Sequence, residues 1–82
     1  MKLDVYIEDK GPTEEESYRY EATAFLPPEV SRASVAIVGY SDDSGAHAYR
    51  QLLRGLIDLR LVESEADLTV VHDDTGELEP ET

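Results

Sequence analysis

Cysteine is absent from these 82 residues. Disulfide staples, thiolate metal sites and a cysteine nucleophile are therefore excluded, and the fold must stand on packing alone. The absence fits a reducing compartment. Basic residues are scarce: seven, only two of them lysine, against nineteen acids, for a net charge of −12. Phosphate binding needs clustered Lys and Arg, so this composition argues against nucleic acid as a direct partner, and against an anionic membrane for the same reason. No apolar run approaches the roughly 18 residues of a membrane span. The opening stretch MKLDVYIEDKG lacks the apolar centre of a secretion signal. These lacks together predict a soluble, cytoplasmic protein.

What is present fits a folded chain: 40% hydrophobic and 32% charged residues. The length allows one domain, expected over residues 1–76, followed by an acidic flexible tail at 77–82. A domain of this size buries about 60–65% of its unfolded surface, so its core is small. The acid is uneven. Residues 1–40 carry eight acids against four bases, and residues 41–82 carry eleven against three.

Apolar and polar residues alternate from Lys2 to Glu8, with Leu3, Val5 and Ile7 on one side, which predicts a half-buried strand. Asp9-Lys10-Gly11-Pro12 is turn chemistry. Alternation returns from Ser17 to Leu26 and stops at Pro27-Pro28, neither of which can donate to a ladder. A third strand is expected from about Ala33 to Tyr40, and its nearly continuous apolar core suggests cover on both faces. Ser41-Asp42-Asp43-Ser44-Gly45 is rich in helix-capping residues. Tyr49, Leu52, Leu53, Leu56 and Leu59 then recur at helical spacing, predicting an amphipathic helix that ends near Leu61 or Val62. Arg50, Arg54 and Asp58 fall on its wet side, with Arg54 and Asp58 spaced to pair. Gly55, unfavourable there by about 1 kcal/mol, suggests a close approach to the sheet or simple tolerance. A fourth strand is expected over Asp67 to His72.

The order β-β-β-α-β predicts an α+β fold: a four-stranded mixed sheet in spatial order 3-2-1-4, with strand four parallel to strand one through a right-handed crossover. One helix covers one face. The other face has no evident cover in the sequence.

VYIEDKG as the first strand and its turn, YEATAF and VAIVGYS as the next two strands, HAYRQLLRGLIDL as the helix and LTVVHDD as the fourth strand follow in an order that resembles the front half of the ribonuclease H-like superfamily, over about residues 3–74. In that family an acid ending strand one, a Glu in the first helical turns and an Asp ending strand four hold two divalent metals that activate water. By position, the resemblance places these roles on Asp9 (or Glu8), Gln51 and Asp73 (or Asp74). A neutral amide at Gln51 removes an anionic ligand that hard cations favour. The family's substrates also want a basic surface. The resemblance therefore implies the scaffold without the activity, and no catalytic residue, metal or cofactor is expected. The alternative it leaves is a remnant of a metal-dependent nuclease.

His47, at the helix start, reads as a surface or half-buried histidine. Ser41, Ser44 and Ser64 read as caps and turns, and the glycines form no phosphate-cradling motif. Tyr6, Tyr18, Tyr20, Tyr40 and Phe25 fall on predicted strands, where the readings are core packing, a tyrosine-bearing protein interface, or stacking on single-stranded RNA, the last opposed by Asp4, Glu8 and Glu21 among the rings. The acidic clusters admit a solvated surface, a salt-adapted surface, or a face that engages a basic protein. The expected role is the last: a non-catalytic module that binds, and in binding can inhibit, a basic nucleic-acid-binding protein by presenting carboxylates where phosphates would sit. Small phage-encoded inhibitors of host defence, anti-CRISPR proteins among them, share the short, acidic, cysteine-poor composition. The expected contacts are Glu14, Glu15, Glu16, Asp42, Asp43, Glu63, Glu65, Asp73 and Asp74. A homodimer through the uncovered sheet face is the other use expected of that face, and a small halophilic protein on the same scaffold is the other reading of the charge.

Overall fold

The computed structural model describes residues 1–11, 19–29 and 35–78. Leu3–Asp9 form β1, Tyr20–Phe25 β2, Ala36–Ser41 β3, Gly45–Asp58 the helix α1 and Leu68–Asp73 β4, with a short 3-10 turn at Glu65–Asp67 before the last strand. The sheet runs β3-β2-β1-β4. β1 pairs antiparallel with β2 and β2 antiparallel with β3, while β4 lies parallel to β1. This is the α+β architecture, the strand order and the parallel pairing of the first and last strands that the pattern of residues predicts. The first residues expected in β2 and β3, and Tyr18, lie outside the described residues.

Alternation decides which face each strand buries. Leu3, Val5 and Ile7 of β1 and Ala22 and Ala24 of β2 meet Ala48, Leu52 and Leu56 of α1, and Tyr49 and Val62 complete the buried cluster. The alanines on β2 are small because the helix lies close above them. Gly39 on β3 takes this further. A Cβ built there would stand 2.4 Å from both the Ala48 carbonyl oxygen and the Leu52 amide nitrogen. The close approach between helix and sheet is therefore made by Gly39. Gly55, the glycine suggested for that part, has open space where its Cβ would be.

β3 is an outer strand of this sheet, and among the described residues only one of its faces is covered. Gly39 and Ser41 are buried beneath α1, whereas Ala36 and Tyr40 are exposed. Its continuous apolar run reflects a helix on one side and, among the described residues, an uncovered apolar surface on the other. On β4 the pairing slips between Val5 and Tyr6, so that Val71 is an extra residue without a partner in the register, and it is 42% exposed. Such a bulge bends and twists the strand.

The helix begins at Ser44, whose extended backbone and side chain cap it: Ser44 Oγ accepts the His47 N–H at 3.0 Å. It ends three to four residues earlier than the hydrophobic spacing suggests. Leu59 is the C-cap, Arg60 adopts a left-handed φ of 60°, and the Arg60 and Leu61 N–H groups return to the carbonyls of Ile57 and Leu56. These two bonds make a Schellman turn. They turn the chain so that Leu61 and Val62 fold back onto the core while Leu59 stays 58% exposed. Arg50, Arg54 and Asp58 are exposed as expected, and Arg54 and Asp58 form no ion pair with each other.

Candidate interaction surface

The strand ends distribute the acidic candidates over two poles of the molecule. Asp42 and Asp43 follow β3, Asp73 closes β4 and Asp74 follows it, so these four share the pole at which β1, β3 and β4 finish. Glu63 and Glu65 lie in the connection between α1 and β4, which reaches the opposite pole, where Asp67 stands 3.9 Å from the Met1 amino group. Glu14, Glu15 and Glu16 lie outside the described residues. The expected contacts therefore form no single patch.

Several of these carboxylates already hold the fold together. Asp73 accepts the Thr75 N–H at 2.8 Å, the Thr75 hydroxyl at 2.5 Å and the Leu78 N–H at 2.5 Å. Burial pushes its carboxyl up, but these bonds together outweigh it and hold the group below the usual carboxylate range. The hook they form carries the chain past Gly76. Leu78 packs on the core, and Glu77 Oε2 accepts the Gly45 N–H at 2.9 Å, adding a second cap to α1. Glu65 accepts a hydrogen bond from Tyr49, whose hydroxyl is pushed up to about 12, by burial first and by the Glu65 charge second. Asp42 Oδ1 accepts the Arg19 N–H at 3.2 Å. Asp43 remains largely in solvent and Asp74 partly so, each beside a histidine: Asp43 Oδ2 lies 3.6 Å from His47 Nδ1, and Asp74 Oδ1 2.7 Å from His72 Nε2.

The positions that the family resemblance singled out are likewise engaged. Asp9 is gripped by Arg19, with Nε–Oδ1 at 3.0 Å and Nη2–Oδ2 at 3.2 Å, and also accepts the Gly11 N–H. The Arg19 hydrogen bond first, and the Gly11 bond next, hold its carboxyl below the ordinary range. Gln51 sits beside His47, 3.1 Å between Nε2 atoms. Among the described residues, no three His, Asp or Glu side chains are grouped so as to hold a metal. His47 Nδ1 is 2.6 Å from Ser41 Oγ, which also accepts the Asp43 N–H at 2.9 Å. Ser41 is only 3% exposed, and the pair ties the end of β3 to the first turn of α1.

The sheet face opposite α1 has a different character. Tyr6, Phe25 and Tyr40 stand on it with 37%, 57% and 46% of their surface exposed. Tyr6 and Phe25 meet edge to face, with centroids 5.9 Å apart and planes at 70°. Beside them a hollow of about 220 Å³ is lined by Lys2, Asp4 and Pro27 among others. Carboxylates flank the rings. Glu8 and Glu21 sit directly opposite one another across β1 and β2, an arrangement that repels unless bridged. Lys10 bridges it, with Nζ 3.3 Å from Glu21 and 3.8 Å from Glu8. The hydrogen bond and charge of Glu21, chiefly, raise the Lys10 ammonium above its ordinary value. Neither this bridge nor the Glu77 cap is anticipated from the sequence, because each depends on strand register or on the path of the tail.

Comparison with protein-family models, with curated proteins and with solved structures finds no match to this chain. No helix among the described residues is long and apolar enough to cross a membrane.

Proposed function

We propose that this chain is a non-catalytic interaction module that docks a basic protein surface through its open sheet face, the electrostatic field speeding encounter and the rings fixing the pose. The observation that carries this reading is the exposure of Tyr6, Phe25 and Tyr40 on the one face that α1 leaves bare, with Asp4, Glu8 and Glu21 between and around them. Aromatic anchors ringed by charge are the usual anatomy of a protein-binding patch. The charge also selects the occupant. A second copy laid face to face would bring its own Asp4, Glu8 and Glu21 against the same groups, in a molecule of net charge −12. A basic surface meets them with the opposite sign. Where that partner binds nucleic acid, occupying its cationic groove inhibits it.

The reading is tested by affinity capture from the source cell with three baits: the native chain, Phe25→Ser, and the pair Glu8→Gln with Glu21→Gln. The expected result is a protein retained by the native chain at low salt and lost at moderate salt, as the Debye length falls from about 30 to about 10 Å. Both variant baits should lose the same protein. Retention by all three baits, or retention indifferent to salt, overturns the reading.

A further inference from the structure

The outer edge of β3 forms one wall of a cleft of about 550 Å³, whose other wall is α1. The consecutive strand residues Val38, Gly39, Tyr40 and Ser41 line it together with Asp43, His47 and Gln51. Residues from both faces of one strand share a cavity only where that cavity runs along the strand's side. At Gly39 the absent side chain seats α1 close above β3, and His47 and Gln51, four residues apart on the helix, line the cleft from that side.

The ladder shows which backbone groups face the cleft. Leu26 N–H bonds to the Val35 carbonyl, and the register continues from there through Ala24–Ile37 and Ala22–Gly39. In an antiparallel ladder, hydrogen-bonded pairs alternate with non-bonded ones. Val35, Ile37 and Gly39 therefore direct their N–H and C=O groups to β2, whereas Ala36 and Val38 direct theirs outward. Among the described residues β2 is the only ladder partner of β3.

The two ends of the cleft differ in charge. Asp43 stands at the end where β3 finishes, with its side chain 82% exposed. Arg50 and Arg54 continue the helical wall away from it, lining an adjoining hollow with His47 and Gln51. Arg54 lies seven residues along the helix from His47, a rise of about 10 Å. Asp43 lies a further 3.6 Å beyond His47, and an extended chain covers the whole span in about four residues, an even number that keeps both end side chains on the helix side. A strand antiparallel to β3 enters at the Asp43 end and leaves toward Arg54.

We propose that this cleft takes an extended peptide as a fifth, antiparallel strand on β3, one that carries a basic residue four positions before an acidic one, so that both side chains face α1. Main-chain bonds to Ala36 and Val38 supply affinity, and Asp43 and Arg54 set direction and sequence, as in other cases of strand addition beside a helix. The site adjoins the open sheet face at Tyr40, which lines the cleft and stands on that face, but its main-chain contacts do not use the rings, so either reading stands without the other.

The test is an amide-resolved NMR titration with the capped peptide Gly-Thr-Lys-Val-Thr-Val-Glu-Val-Gly and with its counterpart in which Lys and Glu are exchanged. The first is expected to bind at millimolar concentration or below, with shifts concentrated at Ala36, Val38, His47 and Gln51. At a peptide concentration about ten times its Kd, exchange of the Ala36 and Val38 amides should slow about tenfold. The exchanged peptide should bind about tenfold more weakly, and Phe25→Ser should change nothing. Val38→Pro removes an outward N–H without touching the β2 ladder, and should abolish binding while leaving the fold intact. Should that variant not fold, the pair Asp43→Lys with Arg54→Glu serves instead, and it should reverse the preference between the two peptides. Absence of shifts at Ala36 and Val38 at millimolar peptide overturns the proposal, as does equal binding of both peptides.

Discussion

Two glycines face opposite consequences of gaining a methyl group. At Gly39 the new Cβ meets backbone atoms of α1 at 2.4 Å, and backbone cannot move aside as the tip of a flexible side chain can. Gly39→Ala is expected to destabilise the protein by about 1–3 kcal/mol, the usual range for overpacking. At Gly55 the methyl enters open space within a regular helix, and Gly55→Ala should stabilise by about 0.5–1 kcal/mol. Urea unfolding of the two variants checks both signs at once. Arg60 is the third telling residue. Its left-handed backbone closes the Schellman turn without the glycine that normally occupies that position. Arg60→Gly should raise stability by about 0.5–1 kcal/mol, less than the full left-handed penalty because glycine also gains freedom when unfolded. The missing glycine is also why the hydrophobic spacing alone carries the expected helix past its true end. Leu59 continues the periodic pattern, and nothing in the sequence marks the stop.

Among the elements, strands and helix are legible where period and punctuation agree. Leu3, Val5 and Ile7 alternate so cleanly that their burial follows from the sequence, and Ser44 announces the helix start. Contacts between elements are less legible. Both Gly39 and Gly55 read as candidates for a close approach, and only the register of β3 beneath Ala48 and Leu52 decides between them. The acidic candidates are legible as charge but not as a surface, because the same residue type caps, hooks and solvates. Asp73 shows the difficulty: its carboxylate serves three local donors and is spent on the C-terminal hook. That role has a signature in pH. A carboxyl held below its unfolded value contributes stability that is fully present above the unfolded pKa and is lost as pH falls through the folded one. Asp9, Asp67 and Asp73 are all depressed. Unfolding free energy is therefore expected to fall below about pH 4, the usual Asp range, even as protonation relieves the general repulsion. Asp73→Asn should flatten part of that decline, which denaturant titrations from pH 6 to pH 2 on the two proteins would measure. Identical acid slopes would show that the hook does not contribute.

Across the whole molecule, −12 on 82 residues is a stability cost as well as a lure. The thermal midpoint is expected to rise as salt screens the field and to level off once the Debye length is near 10 Å. A midpoint that keeps climbing into molar salt would instead favour the salt-adapted alternative. The same repulsion predicts a monomer in dilute buffer, with the open face bare, and sedimentation at low ionic strength reads that directly. Because Phe25 is more than half exposed, Phe25→Ser should leave stability within about 0.5 kcal/mol, which separates its docking role from any part in the core.

The helix sits off-centre. It lies over β3 and β2 and reaches only the near side of β1, while β4 is held by its parallel ladder, its bulge and the residues of the connection and hook. Such a seat is expected to divide the native state into two cooperative units of unequal strength. β3, although an outer strand, is clasped beneath α1 and opens only with it. β4 can detach together with the hook and leave a three-stranded remnant folded, so the molecule should breathe from that flank first and expose the far side of β1 each time it does.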